Sequence, residues 1–143
     1  MPISMPMTEV YSLKRDEKRS AKIQRASLAP VGYGYEQTNG LFASPEWWQS
    51  IESGSLPIHK ISGVITRTLM SSMNDWPSCE VTSDEGEVTK WTREAQDATL
   101  AQLYRVGARI EIQYVIQKFR REFFAGQKME DECVLSVLIE NAV

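Results

Sequence analysis

From Arg105 to Gln117, apolar and polar residues alternate almost without a break. That is the two-residue period of a half-buried strand, and it fits no helix. Val106, Ala108, Ile110, Ile112, Tyr114 and Ile116 fall on one face, and Arg109, Glu111, Gln113 and Gln117 on the other. Val115 is the one exception. The segments around this strand read the same way. Pro57 to Met70 is a strand with Ile61, Ile65 and Leu69 on one face, and Gly63 in its middle marks a bend or bulge. Ser71 to Pro77 is polar and ends in proline, so it reads as a loop. Ser78–Ser83 and Val88–Arg93 form a hairpin around Asp84-Glu85-Gly86, where Gly86 suits the left-handed backbone of a tight turn. Asp97 caps a short helix to Tyr104, with Leu100, Leu103 and Tyr104 on one side. Cys133–Glu140 is a last strand, apolar on both faces, whose outer face needs a cover from the N-terminal arm or a second subunit.

Three strands, a short helix and two strands, in a chain of 143 residues, predict a mainly-β fold. The specific expectation is a small five-stranded OB-like Greek-key barrel with a short helix between strands three and four, behind an N-terminal helical or irregular extension. Residues 1–43 are then a basic, partly flexible arm and linker, and residues 44–143 the barrel domain with a short leading helix. Within the arm, residues 8–28 are either an amphipathic helix or a solvated arm. Ser44-Pro45-Glu46 is a helix start, with a capping serine, a proline at the first helical position and an acid at the positive end of the helix dipole. Trp47 and Trp48 project about 100° apart on that helix, so at most one points into the core. The pair is a candidate plug for the barrel and a candidate protein interface.

Charge narrows the partners. The chain is −3 overall, +2 over residues 1–43 and −5 over residues 44–143. A polyanion-binding surface over the whole protein is not indicated, and contact with nucleic acid would need a local patch or the arm. No apolar block marks a secretory signal or a membrane-spanning helix, so a cytoplasmic location is expected. Cys79 and Cys133 read as buried free thiols. His59 is the only histidine, and the acidic group Asp84, Glu85 and Glu87 reads as a solvated hairpin tip. No nucleophile–base pair or metal set is visible, so no enzyme activity, metal or cofactor is expected.

Trp91 on the third strand, the Leu-rich helix, Gly107 and the alternating strand after it resemble the bacterial single-stranded-DNA-binding proteins. The resemblance covers about residues 63–140. It implies an OB barrel that binds single-stranded nucleic acid without strong sequence specificity. The segment Lys118-Phe119-Arg120-Arg121-Glu122-Phe123-Phe124 supplies the matching chemistry, since rings stack bases and cations neutralise phosphate. The candidate nucleic-acid residues are Trp91, Arg93, Lys118, Phe119, Arg120, Arg121 and Phe124. The alternative is a protein-interaction module or accessory subunit using the barrel and the Trp47-Trp48 helix, without nucleic-acid binding. A homo-oligomer or a stable protein partner fits either reading.

Overall fold

A computed structural model describes residues 6–29, 34–71, 76–123 and 127–142. Six strands, β1 (Met7–Ser12), β2 (His59–Ser71), β3 (Trp76–Ser83), β4 (Val88–Thr92), β5 (Arg109–Phe123) and β6 (Gln127–Glu140), join in one sheet. The helices are α1 (Glu17–Leu28), α2 (Pro45–Ser53) and the short α3 (Ala98–Ala101), with a 3-10 turn at Leu13–Arg15. The order across the sheet is β1-β6-β5-β2-β3-β4. Three consecutive strands, β2 to β4, followed by a fourth that returns beside the first make a Greek key.

The mainly-β class, the hairpin, the capped helices and the five expected strands are all present. Barrel closure is not. The sheet is open, with a sixth strand, β1, paired antiparallel along β6 (Thr8 opposite Ile139, Tyr11 opposite Val137). Residues 8–28 are therefore strand, turn and helix, and not one continuous helix or solvated arm. The reason is burial: Val10 and Leu13 are fully inaccessible and Tyr11 nearly so. The β1 backbone is also held from outside the pair. Gln96 donates its N–H to the Val10 carbonyl (2.8 Å), and its side-chain carbonyl accepts from Ser12 N–H (2.8 Å).

The chain packs as two compact units. The first holds Met1–Ser12, Lys60–Gln113 and Ser136–Val143. Its core includes Val10, Ile65, Val81, Trp91, Ile110, Ile112 and Ile139. Gly63 is buried here because β3 crosses at close range: a Cβ at this position would lie 2.2 Å from the Thr82 carbonyl oxygen. The expected irregularity in this strand is a bulge just beyond, between Ile65 and Arg67. Asp97 caps α3 by accepting from Leu100 N–H (2.8 Å), and Gly86 takes a left-handed φ of 93° at the hairpin tip.

The second unit holds Leu13–His59 and Tyr114–Leu135. An aromatic run forms its core. Phe119 lies 5.3 Å from Tyr35, Tyr35 5.4 Å from Phe42, and Phe42 4.7 Å from Trp47, all tilted pairs. Tyr35 donates its hydroxyl to the Asp131 carboxylate. Burial pushes its phenol far above the ordinary range, with the charges of Cys133 and Asp131 adding to the effect. Along β5 the inward face changes phase. Ala108, Ile110 and Ile112 are buried in the first unit, but in the second, among the described residues, Val115 and Gln117 are buried while Ile116 is exposed. Val115, the exception in the alternation, marks where the pattern slips.

Both cysteines are buried free thiols. Burial pushes the Cys79 thiol up to about 11, against the lowering pull of the Arg93 charge. Its folded value lies above its ordinary one of 9.0, so folded chains hold a proton that unfolded chains release. That contribution is complete below about pH 9 and is lost as pH rises through 11, roughly 2–3 kcal/mol in all. We expect the native protein at pH 8 to resist a thiol-reactive dye until denaturant is added, and its stability to fall above pH 9. Rapid labelling of both thiols at pH 8 would show that these strands are not packed as described.

Candidate protein-interaction surface

In the second unit, Asp16 caps α1 by accepting from Arg19 N–H (3.1 Å). Only Ser27 of this helix is buried. Its hydroxyl donates to the Ile23 carbonyl (2.8 Å) and accepts from Tyr35 N–H (3.0 Å). Gly34 permits this contact, since a Cβ there would lie 2.1 Å from Ser27 Cα. Gln24 donates its side-chain amide to the Phe42 carbonyl (2.8 Å), which ties α1 to the segment leading into α2.

Ser44 caps α2, Pro45 occupies its first turn and Gly54 ends it in the left-handed region. The two tryptophans then diverge, as their 100° offset requires. Trp47 is fully buried and donates its indole N–H to Gln117 Oε1 (3.1 Å), while Trp48 is half-buried and meets Trp47 edge-on at 4.9 Å. The Lys14 ammonium sits 4.9 Å above the Trp48 ring, within cation–π range. An open groove of about 480 Å³ runs along α1, floored by Leu13, Ala21, Ala43 and Trp48 with Lys14 and Glu17 at its rim. Residues 13–28 carry six Lys/Arg against two Asp/Glu.

The residues chosen for nucleic acid do not come together as a stacking track. Trp91 is buried in the core of the first unit and donates its indole N–H to Thr89 Oγ1 (2.8 Å). No base can reach its face. Arg93 donates from Nη2 to the Leu69 carbonyl (3.2 Å), and its buried Nε finds no partner among the described residues. Phe119 is half-buried against Tyr35, and its neighbour Lys118 is exposed while its carbonyl accepts from Glu36 N–H (2.9 Å). The side chains of Arg120 and Arg121, and all of Phe124, lie outside the described residues.

Reading the sequence missed a second exposed apolar feature. Trp76 opens β3, in what reads as loop, and is 53% exposed, with its indole N–H held by Thr92 Oγ1 (2.8 Å). Met70, 43% exposed, stands opposite the adjacent Pro77. Exposed Trp and Met on paired strands are residue types enriched at protein interfaces. The surrounding unit is acidic, with six Lys/Arg against ten Asp/Glu. At its hairpin tip, Asp84 is held by Arg109 (3.0 Å). Among the described residues no helix is long and apolar enough to cross a membrane.

No curated protein matches the chain. A family model described as "Immunity protein RhsI2" matches residues 7–143. This overturns the resemblance to single-stranded-DNA-binding proteins and the nucleic-acid reading built on it. The resemblance rested on strand order and alternation, which many β folds share, and both are satisfied by the open sheet found here. With all but its first six residues inside that match, the chain belongs to the RhsI2 immunity protein family.

Proposed function

We propose that this protein neutralises an Rhs toxin by binding it directly, one molecule to one, without chemistry of its own. The family match over residues 7–143 carries the reading. It is the protein-interaction alternative that the Trp47-Trp48 helix suggested, with the partner now given a class. The surface supports it: an exposed Trp76 on one unit and an open groove beside Trp48 on the other are features that a protein partner fills.

The test is co-expression with the toxic domain of an Rhs protein from the same organism. Growth should be restored by the wild-type chain, and the two proteins should co-purify as a complex. Restored growth with no complex, at any expression ratio, would point to removal of the toxin or its product by catalysis.

A further inference from the structure

Helix α1 is built against its own interest. Lys18, Lys22 and Arg25 are all exposed and stand on one side of it, with Lys14 one turn before Lys18. Like charges three or four residues apart destabilise a helix. The positions three and four residues from Lys22 are held by Lys18, Arg19, Arg25 and Ala26, which include three cations and no acid. Three residues beyond Lys18, where an acid would relieve it, stands Ala21. Among the described residues Lys18, Lys22 and Arg25 enter no ion pair. Ala21 instead keeps the floor of the groove low, and Trp48 forms part of its lining. A second depression along the same helix is lined by Lys18, Ala21, Lys22 and Arg25, with Glu17 the one acid on its edge.

We infer that this groove docks an acidic segment of the partner toxin, one that places an apolar side chain over Ala21 and Trp48 and its carboxylates along Lys18, Lys22 and Arg25. This rests on the proposed toxin-binding function. Two features argue for that occupant. The stripe sets Lys18, Lys22 and Arg25 against the single acid Glu17, so it is complementary to carboxylates, and their arrival relieves its self-repulsion. The groove is also walled by fixed elements: Gln24 bonds the Phe42 carbonyl, and Trp48 is backed by the buried Trp47. A side chain entering it therefore meets a preformed surface.

The experiment measures affinity for the purified toxic domain at low and moderate salt. Compared are the wild-type chain, the triple variant Lys18→Glu/Lys22→Glu/Arg25→Glu, and Ala21→Arg, which fills the groove. The inference expects wild-type binding to weaken as salt rises. It expects the triple variant to lose at least tenfold in affinity and most of the salt dependence, and Ala21→Arg to lose a comparable factor. Amine-reactive labelling of the wild-type complex supplies a readout that no folding defect can imitate: Lys18 and Lys22 should be protected by the toxin. A wild-type chain that binds while both variants bind equally well, or a complex in which both lysines label freely, overturns the groove assignment alone. A wild-type chain that fails to bind overturns the toxin-binding function and the groove assignment with it.

Discussion

Replacing Gly63 by alanine is expected to cost about 4 kcal/mol or more, most of the stability of a domain at the low end of the ordinary range. The added Cβ would lie 2.2 Å from the Thr82 carbonyl oxygen and 2.8 Å from Ser83 Cα. Both are backbone atoms of the paired strand, so relief requires the β2–β3 pairing to open (Gly63 is registered opposite Ser83). Gly86→Ala is the control. Its φ of 93° is unfavourable for alanine, but a Cβ there meets nothing within 4 Å, so the loss should be about 1–2 kcal/mol. Urea denaturation of both variants checks the contrast. A Gly63→Ala protein within 1 kcal/mol of wild type would mean that β3 does not approach as described.

The second large effect separates two adjacent tryptophans. Trp47→Ala removes a fully buried ring from the aromatic run and should cost about 3–5 kcal/mol. Trp47→Phe keeps most of the volume but leaves the buried Gln117 Oε1 without its donor, at about 1–3 kcal/mol. Trp48→Ala, in contrast, removes a half-buried ring and one cation–π contact, for about 1 kcal/mol. Its main consequence should be weaker toxin binding, since Trp48 lines the groove. Equal destabilisation by the two alanine variants would mean that Trp48 belongs to the core and leaves no wall to the groove.

What could be read in the sequence follows from which signals are local. Ser44, Pro45 and Gly54 act on the turn they occupy, so α2 was legible with both caps. The Asp84-Glu85-Gly86 hairpin was legible for the same reason. β1 was not, because Met-Thr-Glu-Val-Tyr-Ser lacks clean alternation and its pairing lies more than 120 residues away on β6. A bulge between Glu9 and Tyr11 explains the missing period, since consecutive Val10 and Tyr11 are both buried. The mistaken ligand has a physical cause as well. Cations interleaved with aromatics suit stacking on bases, but the same pattern arises when one ring, Phe119, packs on Tyr35 and its neighbour Lys118 faces solvent. Sequence spacing does not distinguish a ring in a core from a ring on a platform. The groove was hidden in turn because Ala21 and Trp48 lie on different helices, joined by the Gln24–Phe42 bond.

The most direct test of the central claim is a stoichiometric titration. Purified protein is added in steps to a fixed amount of the Rhs toxic domain while the toxin's activity is followed. Direct neutralisation by binding predicts a linear fall in activity that ends near one molecule of this protein per toxin, with a complex of the same ratio in solution. Complete inactivation by a small fraction of an equivalent, or full toxin activity at a large excess, would contradict it.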